Sequence, residues 1–362
     1  MNTHSKEQAN GLNRLLHVYR EFIRKYPLVP FVFWRLLALC TSLFVLGFLV
    51  FALMSLAPGD IVDRFVLSYL LESQDYQRDT NVSDEAIEET RARLGLDRPF
   101  YVQYVLWLKR VVVDRDLGRS LITRAPILFL IRERLVNSLI LNLISLVFLT
   151  VISFAMGVYL SSKAGTKLDV GVGIGALFLH AFPGLLLLIL LQLFAATTGL
   201  FPVTAYPSVP ASEGRIQFVF SYIHHILLPL IGAFLSGIGS SLRVIRATML
   251  DQLGKPYVTS LRSRGINESR IRWMHAFRNT MNPYITSSAN LLASLFSGSL
   301  ILEIIFAYPG IGRLTYQAVV SEDVNLVLAS IMFVSFLVLF GIIVSDICLA
   351  LVDPRIRFSK NK

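Results

Sequence analysis

The chain has 362 residues, of which 54% are hydrophobic and 16% charged, and its mean hydropathy is +0.61. Soluble globular domains carry about a quarter charged residues, so an ordinary soluble fold is excluded before any motif is considered. The formal net charge of +10 admits either a nucleic-acid surface or the one-sided basic loops of a membrane protein, and its placement along the chain decides between them.

Residues 1–34 form an N-terminal extension. Leu12, Leu15, Leu16, Tyr19, Phe22 and Ile23 recur at helical spacing among Arg14, Arg20, Arg24 and Lys25. This predicts a helix lying on the membrane surface and ended by Pro27, with a partner-binding helix as the other reading. Next comes 36–56, the first of six apolar runs long enough to cross the hydrocarbon core. It is too long, and preceded by too many charges, for a cleaved signal peptide. The other runs are 136–160, 171–196, 226–242, 284–307 and 326–347. The predicted fold class is therefore an all-α polytopic membrane protein with six transmembrane helices, its membrane domain covering 35–352.

A long insertion, 58–135, separates the first two runs. Within it Ser83-Asp84-Glu85 predicts the start of a helix running to Leu94 and stopped by Gly95. The insertion is expected on the extracytoplasmic side. Cys40 and Cys348 fall in apolar runs without metal-ligand spacing and read as packing residues.

Charge is distributed unevenly. Residues 1–35 carry six basic against two acidic side chains, 161–170 two against one, and 243–282 eight against two; the tail after Asp346 carries four against one. The segments 199–225 and 308–325 are neutral to slightly acidic. By the positive-inside rule both termini, including the 353–362 tail, and the loops 161–170 and 243–282 are cytoplasmic. A nucleic-acid patch in 243–282 is disfavoured, because the segment is tethered to the membrane at both ends and holds no recognised binding motif.

No GxxxxGK[ST] loop, HExxH or serine-hydrolase motif is present, so nothing in the chain binds ATP or a catalytic metal by a known signature. His180, Glu303 and Asp346 are the polar residues in or at the ends of the runs. Lipid makes such residues costly, so each is a functional candidate; against that, Glu303 and Asp346 can reach water from span ends, and His180 could equally be satisfied where Phe182-Pro183-Gly184 opens the helix. An intramembrane enzyme would need such groups to converge, and nothing in the sequence brings them together.

The segment after the fourth run is more informative. That run is expected to continue through Arg243 and Arg246 until Gly254. Pro256 then suits the first position of a short helix holding Tyr257 and Leu261, ended by Gly265 in a left-handed cap. Asn267 suits an N-cap, with Glu268 near the positive helix end. Along the next helix Glu268, Arg272, His275 and Asn279 are expected on one face, and Trp273, Met274, Phe277 and Met281 on the other. Periodicity alone leaves two readings open: a surface loop held by anionic lipid headgroups, or a rigid knob that docks on a partner.

Tyr257-Val258 leading into Arg262-Ser263-Arg264-Gly265, with His275-Ala276-Phe277-Arg278-Asn279 and Pro283, resembles the cytoplasmic loop of binding-protein-dependent ABC transporter permeases of the dipeptide/oligopeptide/nickel branch. Leu56-Ala57-Pro58-Gly59-Asp60, "LGLDRPFYVQYVLWL" at 94–108, Asp116-Leu117-Gly118-Arg119-Ser120, "LEIIFAYPGIGRL" at 302–314 and "LVDPRIRF" at 351–358 extend the resemblance over the chain after residue 34. The long 58–135 segment, Val320-Ser321-Glu322-Asp323 and the ending resemble the oligopeptide subgroup associated with microcin C uptake. Two departures stand out. The family's EAA triplet is Thr259-Ser260-Leu261 here, and the N-terminal extension has no counterpart in most members.

The resemblance implies a type I ABC importer permease in the inner membrane, forming half of a pore for peptides, nickel or similar small solutes. It further implies a second permease subunit, two ATPase subunits that bind the ATP, and an external substrate-binding protein, with no cofactor on this chain; the 58–135 insertion would then rest at the external mouth near that binding protein, or else cover the pore or brace the bundle. It places ATPase docking on Tyr257, Leu261, Arg264, Gly265, Ile266, Arg270, Ile271 and His275. Ser287, Asn290, Ser294 and Ser297 share one side of the fifth run, either as pore lining or as close helix packing. An ion-coupled secondary transporter is the alternative, and it would require a coupling site near the midplane.

Overall fold

The computed structural model describes residues 28–56, 98–120, 122–207, 214–286, 299–321 and 323–352. The predicted surface helix in 1–27, the helix expected from Ser83, the four residues Ser287, Asn290, Ser294 and Ser297, and the 353–362 tail lie outside these residues. Among the described residues every regular element is a helix, and the one extended pairing is the bridge between Arg119 and Pro126.

Helix α1 (Leu28–Leu56) begins well before the predicted 36, with Pro30 tolerated in its first turn, where a missing N–H leaves no bond unmade. Helix α2 (Phe100–Lys109) runs into a π turn at Arg110–Asp114 and packs on α1. Tyr104 is buried there, and its Oη donates to the Phe44 carbonyl at 2.8 Å, with the rings of Phe44, Phe48 and Phe51 around it. This part of the insertion therefore packs against the bundle. Cys40, expected to pack, is exposed on α1.

Helix α3 (Ile127–Ser161) starts directly after Pro126, so Arg132, Glu133 and Arg134 belong to the helix and not to the insertion. The third predicted run is not one helix. It divides into α4 (Lys167–Ala181) and α5 (Gly184–Thr198), bent by 98°. The cause is local. Pro183 forces Phe182 into an extended conformation (φ −72°, ψ 132°), which ends α4, and α5 restarts after the proline.

Helix α6 (Arg215–Leu253) has 39 residues, about 58 Å at ~1.5 Å per residue. It exceeds both the predicted 226–242 and the ~30 Å hydrocarbon core. It carries Pro229 inside it and ends at Gly254, as expected. Against it α4 comes so close that a Cβ on Gly239 would stand 2.4 Å from the Ala176 carbonyl oxygen. Beyond α6 lie α7 (Pro256–Ser263), α8 (Glu268–Arg270), a π turn (Ile271–Ala276) and α9 (Phe277–Thr286), then α10 (Leu300–Ile305), α11 (Ile311–Val320) and α12 (Val324–Val352). Among the described residues α1, α3, α6 and α12 are each long and apolar enough to cross a membrane, and the bent α4–α5 pair is apolar enough taken together, as one broken span or as a re-entrant loop. Half of the fifth predicted run, 284–307, lies outside the described residues.

The end of the bundle remote from α7 is closed by a buried carboxylate. Glu303 is 0% exposed, contrary to its expected access to water. It accepts the Ser138 hydroxyl at 2.6 Å and the Arg313 N–H at 3.0 Å, while Ser138 Oγ accepts the Ile311 N–H at 2.8 Å. Two otherwise unpaired N–H groups at the start of α11 are thereby satisfied. The Pro309-Gly310 turn folds over this carboxylate, which is why a position near a span end does not reach solvent. At the same end Asp323, also buried, accepts the Ser120 hydroxyl at 2.5 Å and the Leu326 N–H at 3.1 Å, fixing the start of α12 to the Asp116–Ser120 turn.

Candidate functional site: a glycine turn between short helices

The basic segment after α6 has a defined shape. Gly254 caps α6, Lys255 is extended, and Pro256 opens α7 as predicted. At the other end of α7 the Gly265 N–H donates to the Arg262 carbonyl at 2.9 Å and the Ile266 N–H to the Leu261 carbonyl at 3.2 Å. This paired closure needs a left-handed residue, and Gly265 supplies it with φ +73°. Asn267 Oδ1 then accepts the Ser269 N–H at 2.8 Å and starts α8.

An ion pair spans the turn. Arg262 Nε stands 2.6 Å from Glu268 Oε1, and Arg272 reaches Glu268 at 3.9 Å. The Arg262 guanidinium holds the Glu268 carboxyl below the usual carboxylate range. With a lowered folded pKa, the pair's contribution is present above the unfolded carboxylate pKa and is lost as pH falls through the folded one. Both partners are about half exposed, so the pair is a weak brace. Glu268→Gln is expected to move the thermal midpoint by no more than a few degrees at pH 7 and to leave uptake within about twofold, read by melting curves and transport assay.

The second half departs from the predicted faces. Ile271–Ala276 form a π turn, which inserts an extra residue into the register, so residues before and after it no longer share the faces that a 3.6 period assigns. Trp273 and Met274, expected on the packed face, are 47% and 59% exposed. Ile271, Ala276 and Thr280 are buried instead. Ala276 packs into a cluster with Phe154 and Val158 of α3 and Ile245 and Met249 of α6, joined by Phe277 and Met281. Of the predicted docking residues, Arg264, Gly265 and Arg270 are exposed; Tyr257, Leu261, Ile266 and His275 are half-buried. Ile271 is fully buried, so it anchors the element and presents nothing to a partner. The exposed Trp273–Met274 pair has no signal in the sequence, because a π turn has no composition of its own.

A second feature missed in the sequence lies beside this element. Asp169 in the first turn of α4 accepts both Nε and Nη2 of Arg246 at 2.5 Å, and the Gly165 N–H at 3.0 Å. Its side chain is 2% exposed and that of Arg246 32%.

His180 is exposed at the end of α4 beside the bend. Ser299, next in sequence to the predicted pore-face residues, donates to Asn142 Oδ1 at 3.3 Å and borders a cavity of about 460 Å3 with Gly184, Leu188, Ser236 and Leu302. Among the described residues no three His, Cys, Asp or Glu side chains converge as a metal site.

Long apolar helices joined by a compact basic element define a multi-pass helical membrane protein. Residues 150–358 match the family described as binding-protein-dependent transport system inner membrane component, and residues 28–155 match the N-terminal part described for such membrane components. The chain belongs to this family of ABC importer permeases, in its peptide/oligopeptide branch. It is 30% identical to the oligopeptide transport system permease protein AppB of Bacillus subtilis, over 85% of this chain and 93% of that protein. It is 32% identical to the inner membrane ABC transporter permease protein YejB of Escherichia coli O157:H7, over 80% of each. The glutathione transport system permease protein GsiC of E. coli O6:H1 is 28% identical over 91% of this chain. Family membership sets aside the ion-coupled and intramembrane-enzyme alternatives.

Proposed function

We propose that this chain is one of two permease subunits forming the pore of an ATP-driven importer, that peptides are its substrate class, and that an external binding protein delivers them. The chain carries six spans with both termini cytoplasmic. ATP is bound by two separate ATPase subunits, and the chain itself holds no cofactor. The relatives' names support the peptide assignment, and the short basic loops support the orientation.

The observation that carries the docking role is the build of 254–286. A capped helix, a left-handed glycine turn and a second helix anchored by Ile271 and Ala276 leave Gly265, Arg264, Trp273 and Met274 projecting. A stiff element with an exposed aromatic suits a protein groove. ATPase closure would push on this element, and the buried cluster on α3 and α6 would pass the push into the bundle.

Cysteines introduced at Leu261 or Ile266 are expected to cross-link to an ATPase subunit in membranes containing the assembled transporter. Recovery of lipid adducts alone would replace the docking reading with headgroup binding.

A further inference from the structure

We infer that Asp169 and Arg246 form a latch that makes the 162–169 turn, α4 and the foot of α6 move as one piece with the glycine-turn element. The inference rests on the importer reading above and adds two positioning residues to it.

Adjacent residues of α6 face different neighbours, about 100° apart around the helix. Ile245 and Met249 are buried under Ala276 and Phe277 of the glycine-turn element. Arg246, one residue on, turns instead to α4 and grips Asp169 with two parallel N–H donors. The foot of α6 thus holds the element on one side and α4 on the other. The grip is stiff because the guanidinium fork fixes orientation as well as distance. Asp169 is further immobilised by the Gly165 N–H and by Thr166, whose Oγ1 accepts the Asp169 N–H at 3.4 Å.

Higher on the same face the backbones of α4 and α6 nearly touch at Gly239, so the latched body extends up α4. It stops at Phe182-Pro183, where the chain bends by 98°. Beyond the bend α5 contacts a different part of α6, with Leu188 against Gly232, and Gln192 Nε2 donates to the Ile305 carbonyl at 2.6 Å. The bend is therefore the joint between a part that follows the element and a part tied to α10.

The test uses the assembled transporter in nanodiscs, with spin labels at positions 163 and 248 and the native cysteines replaced by serine. The unmodified latch should give one narrow distance distribution and tight coupling between ATP hydrolysis and uptake. Asp169→Asn is expected to broaden the distribution and to lower substrate moved per ATP hydrolysed at least tenfold, while ATPase subunits still co-purify. Arg246→Lys keeps the charge but loses the fork, and should give an intermediate fall. If both variants retain the narrow distance and wild-type coupling, the latch is wrong. Failure of the importer reading looks different: no ATPase subunit would bind the wild-type chain, and the spin-label distances alone would judge the latch.

Discussion

Gly265→Trp is expected to leave the protein in the membrane at near-normal level and to abolish uptake, a loss of about a hundredfold or more. The backbone there sits at φ +73°, a region that costs an L side chain ~1–2 kcal/mol. Beyond the adjacent residues no atom lies within 4 Å of the place a Cβ would take, so a side chain starts into open space at the tip of the turn. The folding cost is therefore modest, and the loss falls on whatever binds that tip. Membrane content by immunoblot and uptake by intact vesicles separate the two effects. Gly265→Asn is the control: asparagine tolerates the left-handed region and is small, so it should retain most activity. Loss of protein in both variants would mean that the turn matters for folding alone.

Gly310→Ala should act at the opposite end and in the opposite way, by destabilising the protein itself. A Cβ on Gly310 would lie 2.2–2.4 Å from all three carboxylate atoms of Glu303. That carboxylate cannot retreat, because Ser138 and the Arg313 N–H hold it. Overpacking of this kind costs ~1–3 kcal/mol, and displacing the carboxyl group leaves buried polar atoms short of partners, which adds further to the cost. Thermal unfolding followed by size-exclusion chromatography should show a midpoint lowered by several degrees or more. Restoring space with Glu303→Ala in the same chain is not expected to rescue it, since the α11 N–H group of Arg313 then loses its acceptor. A normal midpoint for Gly310→Ala would refute the packing argument.

Much of this is legible from the residues. The breakers Gly254, Pro256 and Gly265 and the cap Asn267 act within one or two turns, so their effects follow from local chemistry. Apolar runs likewise locate the crossing helices. Their ends are less legible, because a helix such as α6 continues into polar sequence without a change of backbone preference. Pro183 announces a break in α4–α5, yet not a 98° bend, which depends on what both halves pack against. Glu303, Asp169 and Arg246 are opaque for another reason: each is satisfied by a partner from a distant part of the chain. Trp273 and Met274 are misplaced because one π turn shifts the register under an otherwise regular pattern.

The buried carboxylates also set an order of events during synthesis. Glu303 meets Ser138 across 165 residues, Ile311 meets it across 173, and Asp323 meets Ser120 across 203. None of these bonds can form until residues 303–323 have been made. Until then Ser138 of α3 lacks the partners it has in the folded protein. The segment 303–323 therefore acts as a keystone, and a nascent chain released before Glu303 emerges has the helices up to α9 but no way to shut that end.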